Sequence, residues 1–240
     1  MKLFTSHKPS FDDCPTGLKE NLVSWKSKNP SFEFEYHNDA QMIDWMQRNT
    51  SEENMKCFHL LNTGAGRADL YRIKKLFVEG GIWFDADLPA VDILEKVPNL
   101  KELMDVHKTA FFTTRKSNEP RFMIMASKSG NDIFQEFEDI TCKEILRLSK
   151  TNEVVETINL TGPKAFHKCL CKHLGFKQIS ELKIGQTFSQ GNISFIFLED
   201  VLDYSKDGGA IIKYKSYRRE LECMDVIHHK YENAVKQNLL

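Results

Sequence analysis

Two rhythms of apolar and polar positions run along this chain. Leu70, Ile73, Leu76 and Phe77 recur at intervals of three and four, which lines one face of a helix. Gly80-Gly81 follows and ends that helix, because glycine tolerates the left-handed backbone at a helix C-terminus. Ile82-Trp83-Phe84 is short, apolar and aromatic, as a buried strand requires. The same reasoning predicts strands at Lys2–Ser6, Phe32–Tyr36, Thr109–Thr114, Arg121–Ala126, Ser194–Leu198 and Ile211–Tyr214. Helices are expected over Thr16–Lys28, near Ala40–Met46 and over Asp132–Ser149. Another opens at Thr161-Gly162-Pro163, with Thr161 as its N-cap and proline in its first turn. Strands alternating with helices predict an α/β fold, with a mostly parallel central sheet flanked by helices. No repeat or linker divides the chain, so residues 1–240 are expected to form one domain.

Candidate chemistry sits where the apolar run ends. Asp85 and Asp87 follow Trp83-Phe84, two residues apart, so on an extended strand they share a face. Their Cα atoms would then lie roughly 6.6 Å apart, close enough for both carboxylates to serve one divalent ion. A glycosidase pair would instead flank a sugar, so this spacing points to a metal–phosphate group. Ligands of open α/β sheets gather outside the carboxyl ends of strands, and these acids occupy such an end. Upstream, Asp69 and Arg72 lie three apart and are neighbours on one helix face.

The whole string reads Ala68-Asp69-x-x-Arg72, Leu76, Gly80-Gly81-x-Trp83-x-Asp85-x-Asp87. It resembles the sugar-binding DXD region of retaining glycosyltransferases. That family includes mannosyltransferases, α-1,4-galactosyl- and N-acetylglucosaminyltransferases and bacterial capsular sugar transferases, and the large clostridial glucosylating toxins share its core. A bare Asp-x-Asp carries almost no information; the acid, base, double glycine and aromatic in register carry a great deal. Weaker likenesses lie at Leu3-Phe4-Thr5-Ser6-His7-Lys8-Pro9, Trp25-Lys26-x-x-Asn29-Pro30-x-Phe32, Phe122–Ser127, Thr161-Gly162-Pro163 and Ile227-His228-His229. The tryptophans that relatives carry near both termini are absent.

The resemblance implies a nucleotide-sugar-binding fold of the GT-A-like type. It also implies metal-dependent transfer of a hexose, with retention, from a nucleotide sugar to a hydroxyl of a glycan or other acceptor. UDP-glucose or UDP-galactose is the favoured donor, with GDP-mannose next. Asp85 and Asp87 would hold Mn²⁺ or Mg²⁺, with His228 completing the metal site. Asp69 and Arg72 would grip the donor sugar, Arg72 near the phosphate–sugar bond. Thr5 and Ser6 would line the nucleotide pocket with Asp85, and Lys230 would face the phosphates. Two other readings stand beside this one: a sugar-nucleotide-binding module without turnover, and a metal-dependent phosphohydrolase or nucleotidyltransferase.

Composition narrows the setting. Hydrophobic residues make up 41% of the chain and charged residues 28%, ordinary values for a globular protein. A net charge of -1 offers nothing for general nucleic-acid binding. No run approaches the roughly 20 apolar residues of a membrane span. Met1–Lys8 lacks the apolar core of a signal peptide, so a cytoplasmic enzyme or a soluble excised catalytic domain is expected. Six scattered cysteines suggest reduced thiols rather than a disulfide framework. His167-x-Cys169-x-Cys171-x-His173 invites a zinc reading, but residues two apart on a helix do not converge; an apolar stripe explains them better.

Overall fold

The structure, a computed structural model, describes residues 1–113, 119–190, 193–202, 213–217, 219–220 and 233–236. Its strands are β1 (Lys2–Ser6), β2 (Glu33–His37), β3 (Gly81–Phe84), β4 (Thr109–Thr113), β5 (Pro120–Ser127), β6 (Thr187–Gln190) and β7 (Ile193–Glu199). The helices are α1 (Thr16–Lys28), α2 (Asp39–Asn49), α3 (Glu52–Leu60), α4 (Gly64–Val78), α5 (Ile93–Lys96), α6 (Leu100–Val106), α7 (Asp132–Leu148), α8 (Thr157–Leu160) and α9 (Pro163–Leu174). The strands form one sheet in the order β2-β1-β3-β5-β4-β7-β6. Parallel pairing joins β1 to β2, β1 to β3 and β4 to β7, while β5 and β6 run against their neighbours. Five strands therefore point one way, and the α/β class expected from the sequence is the one observed.

Both faces of the sheet are covered, which explains the nearly unbroken apolar character of its central strands. Phe4, Trp83, Phe111, Met125, Phe195 and Phe197 face a core built with Trp45, Phe58, Tyr71, Phe134 and Phe166 from α2, α3, α4, α7 and α9. Their chain neighbours Leu3, Ile82, Phe84, Ala110, Phe112, Ile124 and Ile196 face the opposite core, with Trp25 of α1, Ile93 of α5 and Met104 of α6. Alternation along each strand thus sorts one sequence into two cores. Among the described residues no helix is long and apolar enough to cross a membrane.

The turn that delivers the acidic motif depends on its glycines. Gly80 and Gly81 have φ of +67° and +119°, backbone that side chains rarely adopt. A Cβ on Gly81 would lie 2.8 Å from the Lys2 carbonyl oxygen, and one on Gly80 2.6 Å from the Ser129 nitrogen. The double glycine therefore ends α4 and lets β3 lie close beside β1.

Two local expectations change. Thr161 is not the N-cap of α9; that place belongs to Gly162, with Pro163 at the first helical position. Thr161 is instead fully buried, and its hydroxyl is used elsewhere. Of the strand expected at Ile211–Tyr214, the first two residues lie outside the described residues, and Lys213 and Tyr214 are not in a strand.

Candidate functional site

β3 stops at Phe84, and residues 85–88 form a turn closed by the Leu88 amide donating to the Asp85 carbonyl, 3.0 Å. Asp85 and Asp87 therefore project from a turn, not from one face of an extended strand. Phe84 ends the ladder because the chain must leave the sheet here; only the Asp85 amide still reaches across it, to the Met123 carbonyl at 2.8 Å.

Asp85 is fixed from two sides. Trp83, two residues earlier and on the same side of the strand, donates its indole N–H to Asp85 Oδ1 at 2.9 Å. Arg72 Nη2 lies 3.0 Å from the same oxygen and 3.0 Å from Asp69 Oδ1. Arg72 Nη1 donates to the Phe122 carbonyl at 2.7 Å, and the guanidinium packs over the rings of Trp83 (4.8 Å) and Phe122 (4.6 Å). Such planar stacking and forked donation are particular to arginine. One N–H of this side chain, at Nε, is buried and has no partner among the described residues.

Asp69 is buried on α4 and takes a hydrogen bond from Thr161 Oγ at 2.9 Å. The sequence places Thr161 at a landmark but gives no sign of this contact, which spans 92 residues. Burial pushes the Asp69 carboxyl up to about 7; Arg72 opposes this, the charge of Asp85 adds to it, and the Thr161 hydrogen bond opposes it. Burial also raises Asp85, with Arg72 pulling down and Asp87 pushing up. One guanidinium thus serves two desolvated carboxylates.

Asp87 carries a different set of partners. Lys213 Nζ lies 2.5 Å from Asp87 Oδ1, and the Tyr214 amide donates to the Asp87 carbonyl at 3.4 Å. Burial holds the ionisation of the Tyr217 phenol far up, and the negative charge of Asp87 adds to this. No local pattern marks these residues in the sequence, because their role appears only when a distant segment crosses the turn.

Thr5 and Ser6 end β1 beside this turn, in parallel register with Tyr36 and His37 of β2. Both are buried, and among the described residues the Thr5 hydroxyl has no partner. His7 follows, its buried Nδ1 likewise without a partner among the described residues; desolvation lowers its basicity while the charge of Asp87 raises it. His228 and Lys230 lie outside the described residues. Among the described residues no group of three or more His, Cys, Asp or Glu is arranged to hold a metal. In the His167–His173 segment, His167 Nε2 meets the Pro120 carbonyl at 2.8 Å and His173 Nδ1 meets Glu136 at 2.7 Å, while Cys169 and Cys171 are free thiols. The four side chains serve separate neighbours.

The site thus gathers acids from α4 and from the turn after β3 at the carboxyl end of parallel strands. Residues 15–104 match the family model described as the glycosyltransferase sugar-binding region containing DXD motif. Asp69, Arg72, Asp85 and Asp87 all fall inside that match. No curated protein matches the chain. The solved structure of the PaToxG glycosyltransferase shares the fold, with a TM-score of 0.51, 15% sequence identity and coverage of 72% of this chain and 68% of that one. Residues 15–104 are therefore similar to a glycosyltransferase sugar-binding region containing a DXD motif, and the chain shares a fold with a glycosyltransferase of known structure.

Proposed function

We propose that this protein transfers a hexose from a nucleotide sugar to an acceptor hydroxyl, with retention, and that it needs Mn²⁺ or Mg²⁺. The observation that carries this reading is the joining of buried Asp69 and Arg72 with half-buried Asp85 into one cluster beside Asp87, inside the matched region. Among the described residues Asp85 and Asp87 face the cations of Arg72 and Lys213, and a divalent ion would compete with those cations for the carboxylates. The described donors are carboxylate oxygens, as these hard ions prefer, and Mn²⁺ also accepts an imidazole.

In this reading Asp87 would hold the metal with Asp85, and His228 would add a further ligand. The ion would supply positive charge against the charge building on a departing diphosphate. Arg72 fixes the orientation of Asp85 and, with Asp69, faces the sugar end of the donor. Arg72 donates in a planar fork to oxygen, and Asp69 accepts from hydroxyls once the buried proton is given up. Thr5 and Ser6 close the nucleotide side, and Lys230 meets the phosphates. The site supplies no obvious nucleophile apart from the acids already engaged, so direct attack by the acceptor on the face that the diphosphate leaves is the mechanism we favour.

The test is donor hydrolysis and transfer with UDP-glucose, UDP-galactose and GDP-mannose, each with and without Mn²⁺. Metal-dependent release of the nucleoside diphosphate from at least one donor is expected. If Asp87→Ala leaves that release unchanged, the metal assignment is wrong.

A further inference from the structure

The segment that touches Asp87 is built as a strap tied at two places. At one end Lys213 and the Tyr214 amide hold the Asp87 turn. At the other, the Glu220 carboxylate accepts from the Gly17 amide (2.8 Å) and the Leu18 amide (3.0 Å) at the start of α1. Ser216 Oγ and Tyr214 Oη donate to the same carboxylate, at 2.7 and 3.1 Å. α1 needs this partner: Pro15 at its N-cap makes no side-chain capping bond, and no acid stands in its first turn. Gly17 leaves the room, since a Cβ there would fall 1.9 Å from Ser216 Oγ.

We propose that Lys213 is a resident counter-ion of Asp87, exchanged for the divalent cation when that cation binds. This rests on the metal role given to Asp87 above and goes beyond it. An ammonium on a flexible stem is a point charge suited to such exchange. The pair is partly open, with the side chains 32% and 17% exposed, so solvent and a small cation can reach it. The Tyr214 amide and the Glu220 latch do not involve the ammonium. The backbone therefore stays in place, and only the lysine side chain turns away. Its charge remains near the turn, within a lysine's length of an anionic diphosphate held there.

Calorimetric titration of Mn²⁺ alone into wild type, Lys213→Met and Lys213→Arg tests the exchange, with donor hydrolysis measured in parallel. Removing the competing charge in Lys213→Met should tighten Mn²⁺ binding roughly fivefold. Lys213→Arg, which keeps the charge, should stay near wild type. Donor turnover at saturating Mn²⁺ should fall in Lys213→Met despite the tighter metal. A merely structural lysine would not move affinity and turnover in opposite directions. If wild type binds Mn²⁺ and Lys213→Met binds it no more tightly, the exchange is overturned while the metal reading stands. If neither protein binds Mn²⁺, both fail.

Discussion

Arg72 Nη2 stands 3.0 Å from Asp85 Oδ1, and this contact ties the helix half of the site to the turn half. The same nitrogen holds Asp69, so the acid on α4 and the acid in the turn share one cation. Arg72→Ala would leave two desolvated carboxylates without it. Unfolding in urea should show a loss of about 3–5 kcal/mol, and donor turnover should vanish. Arg72→Lys should recover part of the stability but little turnover, because an ammonium cannot fork to both acids and the Phe122 carbonyl.

Asp69 makes stability depend on pH. Its folded carboxyl titrates near 7, against 3.8 for the ordinary group. Between these values the unfolded chain releases its proton while the folded chain keeps it, so stability falls as pH rises. The contribution is full below about pH 4 and lost by about pH 7, with a ceiling of about 4 kcal/mol. Asp69→Asn keeps an acceptor for Thr161 and should flatten this slope in denaturant melts with chelator present. An unchanged slope would assign the pH dependence to other groups.

Trp83 separates ring from donor. Trp83→Phe retains an aromatic face under Arg72 but loses the N–H that fixes Asp85. Stability should drop by only about 1–2 kcal/mol, while the Mn²⁺ concentration for half-maximal turnover rises several-fold. Equal metal dependence in both proteins would show that the indole hydrogen bond does not position Asp85.

Lys75 anchors the helix that carries Asp69 and Arg72. It is fully buried, 2.6 Å from Glu35 and 2.9 Å from Glu79, among the rings of Phe4, Trp45 and Tyr71. Lys75→Met should cost about 3 kcal/mol in urea melts, since it strips a cation from two part-buried acids.

Much of this was legible in the sequence wherever structure is local. Lys2–Ser6 and Thr16–Lys28 are predicted with the bounds observed for β1 and α1, and the spacing of Leu70 to Phe77 marks the later part of α4. The start of that helix is hidden by Gly64 and Gly66, poor helix formers that Thr63 and its capping bond support. Polar β6 leaves no periodic signal, and α5 and α6 are too short for spacings such as Leu100, Leu103 and Met104 to announce a helix. The reversed direction of β5 follows from pairing between β3 and β4, which composition does not encode. At the site, the motif names Asp69, Arg72, Asp85 and Asp87, but Thr161, Lys213 and Tyr217 reach it over long sequence separations. Extended alternation wrongly put the two acids on one strand face, because the turn after Phe84 is set by tertiary contacts.

A thermal-shift panel most directly tests whether Asp87 builds a metal-dependent nucleotide-sugar site. Wild type is melted with each nucleotide sugar, with and without Mn²⁺, beside Asp87→Asn. A ligand at a hundred times its Kd should stabilise wild type by about 2.7 kcal/mol, only when Mn²⁺ is present, and Asp87→Asn should lose the shift. Absence of a metal-dependent shift with every nucleotide sugar, or an equal shift in Asp87→Asn, would contradict the account.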